Sequence, residues 1–596
     1  MMEAEAFYKQ KLASLQWELE QLLKKRKGLG ILRLGSILAL IAAFWLFWNM
    51  GWLYVLAASL ILVAVFIKLL YDDVENKEKI ALTKNLVHIQ QTELKALQGD
   101  YFSFDTGEKH IPKEHPYCND MDIFGHASLF RFLNRTTSQQ GSAALAHSLL
   151  QAAPLPEILE KQKAIKELAS LPHFRHFLQA YGMQQPLTQN TQTRLVSWIE
   201  EPASFIQFKP WRWIKMVLPA IACSITLAAI FKLVNMNVLY ITYFLMAVVA
   251  YQINKIVGPL HHKVSEITAE AETMLQSLSL IEKQAFESLL LQQIQQEYLQ
   301  QNQASVKIAR LKKILERLDI RYNVFASFFL NILLQWNLQQ ALALEEWKAS
   351  EKNKLTGWFT ALSKMEALCS FATLHFNQKN WVFPIFHPVY FKLQATALGH
   401  PLIPIKQRVN NDACIASKEN MMLVTGSNMA GKSTYLRSIG TNIVLAMAGA
   451  PVCASQFEIS PVQLMSSMRI TDNLEENTST FYAELKKLKS IIEKVNAHEP
   501  VFILLDEILR GTNSFDRHTG SVAFIKQLLQ QHTAAILATH DVELASLEKE
   551  YPQRILNYHF DVQVQGEELY FDYTLKPGIC KSMNASILMK KIGIEL

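Results

Sequence analysis

The feature that most constrains this 596-residue chain is a short glycine-containing segment after an apolar run. Residues 421–424 form the run, and the pattern Gly426-x-x-x-x-Gly431-Lys432-Ser433 comes next. Between a strand and a helix, such a pattern is typical of a loop that binds the phosphates of a nucleotide. We therefore predict a buried strand, a phosphate-binding loop and a helix over residues 433–450.

Each residue type in the loop has a physical role. The glycines let successive backbone N–H groups converge on phosphate oxygens, and the helix N-terminus adds its dipole. Lys432 supplies a positive charge for the outer phosphates, and the Ser433 hydroxyl binds Mg²⁺. The loop residues predicted to bind the nucleotide are Gly426, Ser427, Asn428, Met429, Ala430, Gly431, Lys432, Ser433 and Thr434.

Two later apolar runs end in polar residues suited to nucleotide hydrolysis. Residues 501–505 precede Asp506 and Glu507, and residues 534–538 precede Thr539 and His540. We expect Asp506 to hold Mg²⁺ through water and Glu507 to act as the general base. A histidine at the carboxyl end of a parallel strand faces the ligand crevice, so His540 is expected to sense the γ-phosphate. The predicted cofactors are ATP and Mg²⁺, with Lys432, Glu507 and His540 as the catalytic residues.

Four apolar runs are long enough to cross a membrane as helices. They cover residues 31–50, 51–70, 211–233 and 238–256, and each has about 20 residues. Short uncharged connectors join them in pairs, so we predict two transmembrane hairpins. Tryptophan and tyrosine residues lie toward the ends of the runs, as in interfacial aromatic belts.

The charges that flank these runs predict an orientation. Lysine and arginine cluster on the side away from the connectors, which the positive-inside rule assigns to the cytoplasm. The chain is therefore expected to be a multi-pass protein of an inner or plasma membrane with its soluble domains cytoplasmic. The net charge of +6 does not by itself indicate nucleic acid, and no cysteine lies in a CxxC pair. The flanking cations are Lys24, Lys25, Arg26, Lys27, Arg33, Lys68, Lys209, Arg212, Lys215, Lys255 and Lys263.

These features predict six segments. They are an N-terminal cytoplasmic helix (1–30), transmembrane hairpin 1 (31–70), a cytoplasmic helical domain (71–210), transmembrane hairpin 2 (211–257), a helical lever-like region (258–398) and a nucleotide-binding domain (399–596). In the fifth segment, five cations recur at helical spacing and share one face. That face either follows a phosphate backbone or is simply solvated. Its members are Lys307, Arg310, Lys313, Arg317 and Arg321.

Taken together, the nucleotide-binding motifs resemble the MutS family of DNA mismatch-repair ATPases. The similarity lies in residues 425–437, 505–517, 538–541 and 576–582, and it extends over residues 399–596. It is moderate over residues 115–180, which resemble the start of the family's helical core domain, and weak over 258–398. The resemblance implies an α/β P-loop NTPase domain at the C-terminus, preceded by a mostly α-helical core and lever region.

The resemblance also implies a homodimer and a set of nucleotide contacts. Ser479, with Phe481 and Glu484 after it, resembles the loop that reaches the nucleotide of the other subunit. Arg408 occupies the position that is usually aromatic and stacks on adenine, where a guanidinium can also stack. His559 resembles a residue that approaches the base from the other side. Nucleic acid is a partner that the family suggests.

The chain departs from the family pattern in two respects. Two apparent membrane spans separate the core-like segment from the lever-like one, and the mismatch-reading Phe-x-Glu motif is missing. We therefore expect a membrane-anchored MutS-like ATPase that does not recognise mismatches.

Two alternatives are less favoured. An ABC-type transporter would carry a Leu-Ser-Gly-Gly-Gln signature, which does not occur between Lys432 and Asp506. A membrane tether with nucleotide-dependent assembly would not need Glu507 and His540.

Overall fold

In the computed structural model, the described residues are 2–202, 210–265, 268–299, 303–352, 354–416, 421–427, 429–469, 480–565 and 568–580. The chain is helical as far as Asn377, and strands then alternate with helices. The helices of the first part are α1 Met2–Phe47, α2 Trp52–Leu97, α3 Leu129–Leu133, α4 Gln139–Leu150, α5 Leu155–Ala169, α6 Pro172–Gly182, α7 Gln189–Glu200, α8 Pro210–Ile230, α9 Met236–Ser265, α10 Thr268–Lys283, α11 Leu289–Leu299, α12 Ala304–Asp319, α13 Val324–Leu334, α14 Trp336–Glu351 and α15 Leu355–Asn377.

The remaining elements form an α/β domain. Its helices are α16 Lys432–Met447, α17 Thr480–Asn496, α18 Ser514–Gln530 and α19 Leu547–Glu550. Its strands are β1 Ile385–Phe386, β2 Leu393–Leu398, β3 Asn411–Ile415, β4 Met421–Thr425, β5 Gln456–Ile459, β6 Gln463–Ser467, β7 Val501–Asp506, β8 Ala535–Thr539, β9 Ile555–Gln565 and β10 Glu568–Pro577. The strands predicted near residues 421, 501 and 534, and the helix after the phosphate loop, are confirmed.

The larger sheet has the strand order β10-β9-β4-β8-β7-β6. Strands β9, β4, β8, β7 and β6 run parallel, and β10 pairs antiparallel with β9. Strands β4, β7 and β8 are buried throughout, as expected where helices cover both faces of a parallel sheet. A smaller sheet, in the order β1-β5-β2-β3, packs beside it.

The two faces of the larger sheet enter different hydrophobic cores. Met422 and Val424 of β4 join the core that is shared with the helical part of the chain. Met421 and Leu423, which point to the other face, join a smaller core with residues of α17 and α18. One wall of the α/β domain is therefore continuous with the helical body.

Helices α1 and α2 form a long antiparallel pair. Each has 46 residues, which corresponds to about 70 Å at 1.5 Å per residue. The predicted segment divisions at residues 30 and 70 therefore fall inside continuous helices. The polar and apolar parts of each helix are two stretches of one rod, because no proline or turn interrupts them.

Four helices of the described residues are long and apolar enough to cross a membrane. They lie within Met2–Met50, Trp52–Leu97, Pro210–Ile230 and Met236–Leu260. Their large apolar side chains face outward, and Trp45, Leu60 and Phe244 are 79%, 63% and 70% exposed. Water-soluble proteins rarely expose continuous apolar surface of this extent.

A buried polar network fixes the polar ends of α1 and α2 to the helical body. The Tyr8 hydroxyl donates to Asn377 Oδ1 at 2.8 Å, and Asn377 Nδ2 donates to Glu93 Oε2 at 2.9 Å. Glu93 also accepts from the guanidinium of Arg135, and both side chains are almost inaccessible. Burial raises the pKa of Tyr8, so its hydroxyl remains a donor.

The predicted cationic face lies on α12 and the turn after it, and much of it is engaged within the protein. Lys307 Nζ lies 2.6 Å from a carboxylate oxygen of Glu351, and Arg310 lies 3.8 Å from one of Glu346. Contacts of this kind favour the interpretation that these cations stabilise the α12–α14 pair. These ion pairs leave less positive charge available to bind the phosphate backbone of a nucleic acid.

Replacing Glu93 with alanine should strongly destabilise the helical body. The change leaves the Arg135 guanidinium buried without its carboxylate, which typically costs about 3–5 kcal/mol. Denaturant unfolding of the full chain in detergent measures the effect. Glu75→Ala is the matched control, because Glu75 forms an exposed pair with Lys79 on the same helix and should give no measurable change. Equal unfolding midpoints for the two variants would contradict the role assigned to the network.

Candidate functional site

The loop after β4 has the backbone that the glycine pattern predicts. Gly426 has a φ of +148° and Gly431 a φ of +107°. A Cβ atom at Gly426 would lie 2.8 Å from the carbonyl oxygen of Phe560, so a side chain there would collide with strand β9. Helix α16 begins at Lys432, directly after the loop, and its N-terminal N–H groups face the same space.

Lys432 lies buried beneath the loop. Its Nζ donates to the carbonyl oxygens of Gly426 at 2.7 Å and Ser427 at 3.0 Å, and it lies 4.0 Å from a carboxylate oxygen of Glu507. Burial lowers the pKa of Lys432, and the Glu507 charge opposes this effect. Phosphate oxygens can replace the loop carbonyls as acceptors, so the ammonium group is placed to bind a phosphate.

Ser433 and Asp506 form a pair of oxygen donors at the other side of the loop. The Ser433 hydroxyl donates to Asp506 Oδ2 at 2.5 Å. Asp506 Oδ1 is buried and has no hydrogen-bond partner among the described residues, and burial raises the pKa of this carboxyl. A hydroxyl beside a carboxylate with a free oxygen is a donor set that suits Mg²⁺. These two residues therefore fit the predicted metal site.

Glu507 and His540 come together at the carboxyl edge of the sheet. Glu507 has a φ of +51°, and its backbone N–H donates to the carbonyl of Ala538 at 2.9 Å. One carboxylate oxygen lies 3.6 Å from His540 Nδ1, and the same oxygen lies 3.4 Å from Arg510 Nε. A left-handed conformation at a residue other than glycine costs about 1–3 kcal/mol and is concentrated at functional sites. The fold thus holds the Glu507 carboxylate toward the loop against its local backbone preference.

Glu484, from α17, holds the turn that follows these carboxylates. Its buried side chain accepts from the backbone N–H groups of Leu509 and Arg510. Burial raises the pKa of Glu484, while the two N–H groups oppose the shift. Sequence analysis noted Glu484 only as a residue that follows the segment of Ser479 and Phe481, and it assigned Glu484 no contact of its own. Its partners are main-chain groups, which no residue pattern reveals.

A cleft of about 370 Å³ lies over the loop. Its volume is within the range of small-molecule sites. The aromatic side chains of Tyr435, Phe560 and Tyr573 contribute to its wall, and a Cβ atom at Gly431 would lie 3.1 Å from the Tyr573 ring. The lining residues outside the loop include His400, Gln407, Asn411, Glu507, Phe560 and Tyr573.

The two residues predicted to contact the base do not line this cleft. The Arg408 guanidinium donates to the carbonyl of His400 at 3.4 Å and lies 6.0 Å from the centre of the Trp381 ring. His559 Nδ1 lies 3.1 Å from the carbonyl oxygen of Gly578. The aromatic side chains at the cleft include Tyr573, on β10, which sequence reasoning missed because the loop that it contacts is distant along the chain.

Four of the remaining predicted nucleotide contacts are located by the structure, and two lie in parts of the chain that it does not describe. Ser427, Met429 and Thr434 line the cleft, and Ala430 is buried beneath it. Asn428 and Ser479 lie outside the described residues.

Comparison with known proteins gives a match in this part of the chain. Residues 422–592 match the family model of MutS domain V. This part of the chain is therefore similar to MutS domain V. The match begins at β4 and includes Lys432, Asp506, Glu507 and His540.

Several curated relatives are similar to part of the chain. The DNA mismatch repair protein MutS of Aquifex pyrophilus is 32% identical over 256 residues, which are 42% of this chain and 29% of the relative. The proteins of the same name from Methanosarcina mazei and Fusobacterium nucleatum are 38% and 36% identical over 175 and 173 residues, each covering 28% of this chain and 19% of the relative. The chain thus matches less than a third of the length of these relatives.

The stability of the MutS-like domain should fall in mild acid because of His400. Its Nδ1 accepts from the Leu402 N–H, and burial, followed by the nearby Arg437 and Arg408 charges, lowers its pKa to about 4. In the unfolded chain the pKa is near 6.5, so the unfolded state binds a proton first as the pH falls. Protonation of His400 does not affect the free energy of unfolding above about pH 6.5. Between about pH 6.5 and 4 it lowers this free energy, by on the order of 3 kcal/mol in total.

Urea unfolding of the full chain in detergent at pH 7.5, 6 and 5 measures this effect. His400→Gln keeps an acceptor without the titration, so its unfolding midpoint should depend less on pH. Parallel pH profiles for the two proteins would show that His400 does not carry the effect.

Proposed function

We propose that this chain is a membrane-anchored ATPase that hydrolyses ATP with Mg²⁺ at the cleft over residues 426–434. Members of the MutS family are ATPases, which supports the reaction class. The observation that carries the proposal is the convergence of Lys432, the Ser433–Asp506 pair and the Glu507–His540 pair at one edge of one sheet.

The residues divide the chemistry among them. Lys432 and the N-terminus of α16 bind the phosphates, while Ser433 and Asp506 hold Mg²⁺, which neutralises charge on the phosphate oxygens when it is bound. Glu507 accepts a proton from the attacking water as the new P–O bond forms and the bond to ADP breaks. His540 lies 3.6 Å from that carboxylate and is placed to contact the γ-phosphate.

Membrane anchoring is the second part of the proposal. It is supported by four exposed apolar helices of sufficient length and by the cations at their non-connector ends. In this arrangement both hairpins cross an inner or plasma membrane, and the MutS-like domain lies in the cytoplasm.

The third part is a composite site in a homodimer. MutS family proteins function as dimers and bind DNA. We propose that two copies pair through their MutS-like domains and that Ser479 of each copy completes the site of the other. Glu484, which follows this segment, contacts the turn after Glu507 within the same chain and so links the segment to the catalytic carboxylate.

Replacing Glu507 with glutamine should remove turnover and leave ATP binding intact. Loss of a general base typically lowers the rate by about 10²- to 10⁴-fold. Phosphate release by the detergent-solubilised protein, together with nucleotide binding, measures both effects. Glu543→Gln is the control, because Glu543 is an exposed acid beyond β8 and should retain full activity. Wild-type turnover in Glu507→Gln would refute the assigned role.

The same assay tests nucleic acid as a partner. It is run without DNA and with plain, branched and mismatched duplexes. A rate of phosphate release that rises with DNA identifies nucleic acid as an activator. A rate that is the same with all three duplexes as without DNA excludes DNA as an activator.

Mixing two inactive variants tests the composite site. Lys432→Ala and Ser479→Ala should each be inactive alone. Random pairing at equal amounts makes about half of the dimers mixed, and each mixed dimer has one intact site, so about a quarter of the wild-type rate should return. Mixing Lys432→Ala with Glu507→Gln is the control, because in that pair no site keeps all its residues. No recovery in the first mixture, with dimers confirmed by light scattering, would refute the composite site.

A further inference from the structure

Helix α13 reverses the polarity pattern of the helix before it. Helix α12 buries apolar residues such as Leu311 and exposes charged ones. In α13, Phe325, Phe328 and Phe329 are 81%, 59% and 59% exposed, whereas Asn331 is buried. A helix in water turns its apolar face to the core. The reversed pattern is that of a helix whose outer face contacts lipid.

The inner face of α13 is polar and bound within the protein. Asn331 Oδ1 accepts from the Asn337 N–H at 2.9 Å, and Asn331 Nδ2 donates to the Ser327 carbonyl at 2.8 Å. Gln335, which ends the helix, is buried and reaches the carbonyl of Met246 at 3.5 Å. These bonds satisfy polar groups away from water, as interhelical bonds do in membranes.

The location of α13 continues the surface of the second hairpin. The helix packs against both α8 and α9, which are candidate spans. Met246, the partner of Gln335, lies ten residues into the Met236–Leu260 candidate span, or about 15 Å along it at 1.5 Å per residue. The C-terminal end of α13 therefore lies beside the apolar part of α9 and not beyond the end of that apolar part.

The length and flanks of α13 exclude a full crossing. Its 11 residues extend about 16 Å, which is half of a hydrocarbon core of about 30 Å. Arg317 and Arg321 precede it, and the Arg321 guanidinium lies 3.3 Å from the position of a Cβ atom on Gly258, near the end of the α9 span. Cations near the end of a membrane span are placed to contact lipid headgroups.

We propose that α13 is a non-spanning membrane element that enters the cytoplasmic leaflet beside the second hairpin. Phe325, Phe328 and Phe329 contact lipid acyl chains there, and the asparagine face stays within the protein. The proposal rests on the proposed membrane anchoring. It makes the lever-like region, expected to be wholly cytoplasmic, a part of the membrane domain.

Spin labels on single cysteines test the proposal. The accessible native cysteines Cys223, Cys414 and Cys580 are first replaced with serine. Labels are placed in turn at residues 325, 328 and 329 of the full chain, reconstituted in phosphatidylcholine–phosphatidylglycerol vesicles. Collision with oxygen, which concentrates in lipid, is compared with collision with a water-soluble nickel chelate. Leu245, exposed on the α9 span, is the lipid control, and Lys489, exposed on α17, is the aqueous control.

The expected result is oxygen-dominated collision at residues 325, 328 and 329, as at Leu245, and nickel-dominated collision at Lys489. Nickel-dominated collision on α13 with an oxygen-dominated Leu245 would overturn the proposal and leave the membrane anchoring intact. Nickel-dominated collision at Leu245 as well would overturn both. Low collision with both reagents on α13 would show that a protein surface covers it, which also contradicts lipid contact.

Discussion

The parallel pairing of β4, β7 and β8 is the constraint on which the candidate site depends. Thr425 pairs with Thr539, and Asp506 pairs with Ala538, so the three strands end at nearly the same level. The loop, the two carboxylates and His540 each follow one of these strands. A slip of one residue would turn the side chains of a strand to the opposite face and expose its buried ones. Burial of both faces of the sheet therefore fixes the geometry of the candidate site as well as the fold.

The helical body is joined to the helix that follows the phosphate loop and to two further elements of the domain. Asp122 lies 3.7 Å from Arg437, which belongs to the helix that begins at the loop. Asp120, which is buried, accepts from the Ser466 hydroxyl at 2.7 Å and from Lys487 Nζ at 2.6 Å. These bonds link one short segment of the body to α16, β6 and α17. A displacement of α16 relative to the body would change the Asp122–Arg437 contact, which makes this segment a physical connection between the body and the helix after the loop.

The sequence predicted those parts of the site that local patterns encode. Apolar runs followed by Asp506 and His540 identify strand ends, and the spacing of Gly426 and Gly431 identifies the loop. Sequence patterns could not predict contacts made by the main chain or by distant segments. Glu484 bonds to backbone N–H groups, and Tyr573 contacts the loop from β10. The placement of Arg408 also depends on tertiary contacts, with Trp381 and the His400 carbonyl. In the helical part, apolar periodicity did not show which face of α13 was outward, because exposure is decided by neighbouring helices.

The two candidate membrane hairpins contact the helical body in different ways. The first hairpin stands at the end of the α1–α2 rods, whose polar parts reach back to Asn377 through Tyr8 and Glu93. Tyr8 is 37 residues before Trp45, so about 55 Å of helix separates Asn377 from the apolar end. Helix α9 of the second hairpin instead packs directly on the body, and its residues Ile253 and Val257 are buried in the main core. If both hairpins enter one bilayer, α9 brings one part of the body close to the membrane, while the polar parts of α1 and α2 extend from the membrane to Asn377. The MutS-like domain follows Asn377 in the chain, so in that arrangement the helical body joins the domain to both hairpins, and any coupling between the proposed hydrolysis and the membrane passes through this body.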